Sequence, residues 1–446
     1  MNDELPIIDE GTNPFFELQH FLIKINFKIN NLRNDDPNAI EDFAQFLHEY
    51  THYLQIVTTT NGISALLSYI DKIIRMGIEI GINIVTKEKQ AKEIIGKYKE
   101  EFKKFNNQLY WFRKKIHIKV SYTIPKFIVK PIYNPIIKKQ SREVFIYNPI
   151  DDFFHHVSTT MLRENMALMA NFSIRGIGQD AVMDHVKINP SKEKPYSCKY
   201  WLLFSYFLYT YPDIKNVVKF TYFFCELALM AITTGMFVEK LLNDIKHMMG
   251  KGIYTGERDF FDKLREMNID KISQDGNLTF ELINRIKLTL GKIIDENDFY
   301  KPINKLLELA ENGLNYKKTR HATIFRNVMD MKWINEMSEM FLSPIIIQPN
   351  SDICMLFEDK EYQNLLCILF GVTIVSDKVI KNEAIFCCPF FCEIPICKLT
   401  TEEIEDICTS RPFDITVFPS GGCLFYNTAL ILGLLKDEEL EKYIKW

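Results

Sequence analysis

Residues 47–55 read Leu47-His48-Glu49-Tyr50-Thr51-His52-Tyr53-Leu54-Gln55. Histidines four apart stand one turn apart on the same face of a helix, so a helix here presents two imidazoles to a common point. The flanking pattern asks for that helix. Phe43, Phe46, Leu47, Tyr50 and Leu54 recur at helical spacing. Asn34-Asp35-Asp36-Pro37 precedes them as a start signal: Asp36 can accept orphan N–H groups, and Pro37 suits a first turn. The spacing predicts a helix over about Pro37–Val57, a turn at Thr58–Gly62 and a second apolar helix over about Ile63–Ile84. Any fold of this chain must bury the apolar flank of the first helix.

Two imidazoles at this spacing suit zinc, which takes nitrogen ligands in tetrahedral geometry. Glu49 is offset by one residue from His48, so it need not ligate and can stand beside the open coordination position. There it can act as general base toward a water activated by the metal. Upstream, residues 19–30 alternate with period two. Gln19, Phe21, Ile23, Ile25, Phe27 and Ile29 face one way and mostly polar residues the other, as in a half-buried strand.

With His-Glu-x-x-His on a helix preceded by such a strand, the sequence resembles the zincin metallopeptidases. The resemblance implies an active-site helix beside a mixed sheet whose edge strand holds extended substrate by strand addition. After His52 the next histidine is His117, and no Gly-x-x-His follows. This points to the gluzincin type, in which the third ligand is a glutamate on a later helix. Glu164 in Leu162-Arg163-Glu164-Asn165-Met166-Ala167-Leu168-Met169-Ala170 is the choice, because the small residues after it allow close packing against the active helix. A carboxylate left unpaired on such a helix would cost several kcal/mol if buried, on the order of a lost charge partner. An ion pair with Arg163 is the plainer reading of Glu164, and Glu79, His155 and His156 are rival ligands. Where the related enzymes carry an aspartate that steadies a ligand histidine, this chain has Leu168; Asn171, Asp42 or Glu41 could substitute. Tyr316, Arg320 and His321 are candidate donors to an oxyanion.

The expected fold class is α+β and mainly helical. A zincin-like catalytic core, a small mixed sheet plus the active-site helix, would occupy 1–190, with an insertion at about 86–150. A helical domain at 191–344 and a cysteine-rich α/β region at 345–446 would follow. Within this scheme residues 86–115 are a charge-rich, solvated helix, and 116–150 are extended pieces broken by Pro125, Pro131, Pro135 and Pro149. Helical patterning covers Phe153–Ile174, 200–245 and 278–343; short apolar runs at Ile345–Ile347, Leu365–Val375 and Ala384–Phe391 suggest strands.

A net charge of −4 with both signs mixed argues against a nucleic-acid partner. Phe220–Val238 is long enough to span a bilayer, but Glu226 interrupts it and Lys219 and Glu239 flank it, so a buried helix is expected and no membrane. Met1–Gly11 is acidic and lacks a secretory pattern, which makes the cytoplasm the expected location. Cysteines there stay reduced. Cys387, Cys388, Cys392, Cys397, Cys408 and Cys423 sit in apolar sequence without paired C-x-x-C spacing, so core packing is expected ahead of a second metal site.

The functional expectation is a zinc-dependent metallopeptidase acting on a protein or peptide, with His48, His52 and Glu164 on the metal and Glu49 as base. The alternative is a non-catalytic zinc-binding regulatory or structural protein. A di-iron carboxylate protein would need a second Glu-x-x-His on a helix, and the other match, Glu17-Leu18-Gln19-His20, falls on the predicted strand.

Overall fold

The structure is a computed structural model. It describes residues 15–17, 22–29, 37–70, 126–134, 139–148, 153–176, 198–232, 234–290, 301–320, 331–349, 353–356 and 366. Among these the chain is mainly helical with two small sheets, an α+β arrangement.

The first sheet has four short strands in the order β1 (Phe15–Glu17), β2 (Leu22–Lys24), β6 (Ile345–Ile347), β7 (Ile353–Cys354). The β2–β6 pair is parallel and the outer pairs are antiparallel, so the sheet is mixed. Ile23 lies opposite Phe16 on one side and Ile346 on the other. The predicted strand over residues 19–30 is thus a three-residue strand with an extended continuation. Its alternation persists: Ile25 and Phe27 are buried, while Lys24, Asn26 and Lys28 are exposed. The backbone N–H of Ile25 donates to the Ile347 carbonyl at 2.9 Å, and that of Ile29 to the Gln348 side-chain oxygen at 2.7 Å.

Helix α1 runs Pro37–Thr58, as the apolar spacing predicts. The expected turn after it is only a bend at Thr59, and a second helix, α2, covers residues 60–70. Thr58 and Thr59 fold their hydroxyls back onto the carbonyls of Leu54 and Gln55, which bends helices by competing for those acceptors. Gly62 sits against the Gln55 carbonyl, where a Cβ would fall 2.0 Å from the oxygen.

The expected extended insertion is in part a second, antiparallel sheet, β3 (Lys126–Asn134), β4 (Lys139–Asn148), β5 (Phe153–His156). Pro131 is tolerated because β3 is an edge strand in this sheet. Phe153–His156 were expected to open a helix and instead form β5. Helix α3 (Thr159–Ile174) starts only after Ser158, whose hydroxyl accepts from the Met161 N–H at 3.2 Å. The Ser158 cap outweighs the helical spacing of the residues before it.

Helices α4 (Cys198–Thr210), α5 (Val217–Ala228), α6 (Thr234–Gly250), α7 (Glu257–Glu266), α8 (Ile269–Leu290), α9 (Lys301–Arg320) and α10 (Met331–Phe341) complete the described elements. The apolar stretch Phe220–Val238, expected as one buried helix, is the buried α5 and the start of α6. The break falls where buried polar groups draw on the backbone: Asn61 N–H donates to the Leu229 carbonyl, and Ile232 N–H to the Asp275 carboxylate at 3.0 Å. Among the described residues no helix is long and apolar enough to cross a membrane.

One hydrophobic core runs from Leu22 to Leu366 and takes in both the mixed sheet and the helices. Its buried surface is the main favourable contribution to the fold, at roughly 25 cal/mol per Å² of apolar area removed from water. Helix α1 sits in the middle of that core. One flank meets α3, and the other meets α9 and α10. Gly313 of α9 lies so close to α1 that a Cβ would fall 1.8 Å from the Val57 carbonyl oxygen. Glu79, the predicted 86–115 helix, and the cysteines from Cys387 to Cys423 lie outside the described residues, as do the runs Leu365–Val375 and Ala384–Phe391 apart from Leu366. Cys225 is a buried free thiol, and Cys354 is half-buried.

Candidate metal site

Helix α1 has two unlike flanks. Tyr50 and Tyr53 point to α10, where Tyr50 shares a hydrogen bond with Ser338 at 3.0 Å and the Tyr53 hydroxyl donates to the Phe341 carbonyl. At 100° per residue, His48 and His52 lie on the other flank, toward α3. Their rings stand edge to face with centroids 5.0 Å apart.

Glu164 of α3 meets them there. Its Oε2 lies 3.7 Å from His48 Nε2 and 3.4 Å from His52 Nε2. All three candidate ligand atoms fall within 4.8 Å of one another, and among the described residues this is the only such grouping of histidine, cysteine and carboxylate groups. Zinc bound tetrahedrally at about 2.0–2.1 Å from each donor would hold its ligands about 3.3 Å apart. The two separations from Glu164 come close to that value, His52 as it stands and His48 with a small inward movement. Two neutral nitrogens and one carboxylate are also a donor set that zinc accepts.

The approach of α3 is set by its sequence. Asn165, Ala167 and Ala170 are buried, and the Asn171 side chain donates to the Ala44 carbonyl of α1 at 2.9 Å. Asn171 was a candidate to steady a ligand histidine; it ties the two backbones together instead. Glu41, another such candidate, is turned to Arg175 and accepts from Gln45 at 3.1 Å.

Burial on its own would push the His52 imidazolium down, but the Glu164 charge and hydrogen bond outweigh it, and with Glu49 and Gln55 they raise its pKa to about 9. Burial would raise the Glu164 carboxyl, yet the two imidazoles hold it well below the usual carboxylate range. A carboxylate this close to two imidazoles favours a positive charge beside it, and a proton on His52 supplies one. Glu49 is buried, 8% exposed, and near enough for its charge to act on His52. In the alternative reading Glu164 pairs with Arg163; here the Arg163 guanidinium donates to the Asn61 side-chain oxygen at 3.0 Å, and Glu164 acts on it through its charge.

Other candidates lie elsewhere. His156 on β5 pairs with Glu143 of β4 at 2.8 Å, and His155 is its neighbour on that strand. Tyr316 packs edge-on against Phe341 of α10, the helix whose residues Tyr50 and Tyr53 reach. Arg320 ends α9, and His321 lies outside the described residues. Glu17 ends the strand β1, which gives no second helical Glu-x-x-His.

Gln55 is the site residue that the sequence reading passed over. It is fully buried, its Oε1 lies 3.1 Å from His52 Nδ1, and its Nε2 donates to the Arg163 carbonyl of α3 at 2.9 Å. An amide inside the apolar run Leu54-Gln55-Ile56-Val57, one turn after His52, is the signal that marks it. No protein-family model matches the chain, and no curated protein and no solved structure matches it.

Proposed function

We propose that the chain is a zinc-dependent metallopeptidase working on protein or peptide substrates in the cytoplasm. The observation that carries this reading is the convergence of His48 Nε2, His52 Nε2 and Glu164 Oε2 from two packed helices. A divalent ion held by these three groups supplies Lewis acidity, lowering the pKa of water and polarising a substrate carbonyl. Glu49, next to His48 and within electrostatic reach of His52, takes the proton from the attacking water on its carboxylate. It then passes that proton to the leaving amine as the peptide bond breaks. Burial of Glu49 keeps bulk water from competing for the proton. The partial exposure of His48, His52 and Glu164 leaves a side from which substrate can enter.

The test pairs metal content with turnover. Purified wild-type protein is expected to carry one equivalent of zinc and to cleave members of a peptide library. Glu49→Gln is expected to keep the metal and lose about 10²–10⁴-fold in turnover, the usual contribution of a general base. Full activity in that variant overturns the role of Glu49. Stoichiometric zinc with no cleavage of any peptide by the wild type replaces the reading with that of a non-catalytic zinc protein.

A further inference from the structure

We infer that Gln55 is a positioning residue that fixes the ring state and direction of His52 and ties this ligand to the helix that carries Glu164; this rests on the metal reading above. The hydrogen-bond pattern leaves one orientation for each group. The Arg163 carbonyl can only accept, so the atom of Gln55 facing it at 2.9 Å is the Nε2 donor. The Gln55 oxygen therefore faces His52 Nδ1 at 3.1 Å. That oxygen can only accept, so Nδ1 carries the hydrogen. Neutral His52 then keeps its lone pair on Nε2, the atom 3.4 Å from Glu164 and the one needed for a metal.

The same amide also sets spacing. Arg163 precedes Glu164 directly, so holding its carbonyl to α1 holds the Glu164 end of α3 at a fixed distance from the two imidazoles. Gln55 has no exposure to solvent, and water cannot take over either bond without a cavity. Partners in this position usually set metal affinity by about 10- to 100-fold.

The experiment measures cobalt(II) affinity by competition with a chelator, with the visible cobalt spectrum reporting coordination, for the wild type, Gln55→Leu and Gln55→Glu. Gln55→Leu removes both bonds and is expected to weaken binding by about 10- to 100-fold and to broaden the spectrum. Gln55→Glu keeps the acceptor on His52 but loses the donor to the Arg163 carbonyl, and is expected to bind between the wild type and Gln55→Leu. Equal affinity in Gln55→Leu and the wild type overturns the inference. So does a folded Gln55→Glu that binds as weakly as Gln55→Leu. Should Gln55→Leu fail to fold, ¹⁵N shifts of the His52 ring in metal-free wild type at pH 10 decide the matter. A proton on Nδ1 is expected, and a proton on Nε2 overturns it. Absence of cobalt uptake by the wild type would bring down the metal reading itself, a result distinct from any difference among the variants.

Discussion

At the residue scale, the site turns on which cation sits between Glu164 and the imidazoles. In metal-free protein the proton on His52 fills that place. The His52 pKa is raised from its ordinary 6.5 to about 9, so its contribution to stability is complete below 6.5 and is lost as pH rises through 9. The Glu164 carboxyl is depressed from its ordinary 4.5, so its contribution is present above 4.5 and is lost as pH falls well below it. Thermal melts of the chelator-treated protein should therefore give the highest Tm between about pH 4.5 and 6.5, with a fall toward pH 9. A Tm that does not change between pH 6 and 9 would contradict the pairing of His52 with Glu164. Metal affinity should run the other way, rising with pH as the competing proton leaves, which titration at pH 6, 7.5 and 9 checks.

At the element scale, the site depends on how closely α1 is gripped on both flanks. Gly313 lets α9 reach the Val57 carbonyl, and an added Cβ at 1.8 Å cannot fit without moving one helix. Gly313→Ala should cost about 1–3 kcal/mol, the usual penalty for overpacking, read by urea denaturation. Unchanged stability would mean that α9 does not press on α1 in solution. On the opposite flank, Asn171→Ala removes the bond to the Ala44 carbonyl, which keeps its helical bond within α1, at a cost of about 0.5–1.5 kcal/mol in the same assay.

The elements also show what a sequence can and cannot declare. Helix α1 was legible because its apolar residues repeat at helical spacing over twenty-two residues, and His48, Glu49 and His52 came with it. Glu164 was legible as an out-of-place charge beside small residues. The strand over residues 19–30 was legible in its alternation but not in its length. Pairing partners, not the strand itself, decide how many residues join a sheet, and β6 comes from residues far along the chain. The β5 strand and the break between α5 and α6 were missed for a related reason. Both are settled by polar groups from elsewhere, such as the register with β4 and the Asp275 carboxylate. Gln55 and Asn171 act through backbone carbonyls of a facing helix, and a carbonyl leaves no mark in side-chain patterning.

At the scale of the whole molecule, the two histidines and Glu164 belong to helices that share one core, and that core also includes the mixed sheet. A ligand that bridges α1 and α3 in the native state and not in the unfolded chain must stabilise the entire fold. At a zinc concentration about 100 times the dissociation constant the gain is about 2.7 kcal/mol. Zinc should raise the Tm of the wild type and leave that of Glu164→Ala nearly unchanged in differential scanning calorimetry. An equal rise in both would assign the stabilisation to some other place on the molecule.

The most direct test of the central claim is anomalous diffraction at the zinc edge from crystals grown with zinc. The account predicts one strong peak within about 2.0–2.2 Å of His48 Nε2, His52 Nε2 and a Glu164 carboxylate oxygen. Diffraction that shows no peak between α1 and α3, or imidazoles turned away from an ion bound elsewhere, would contradict it.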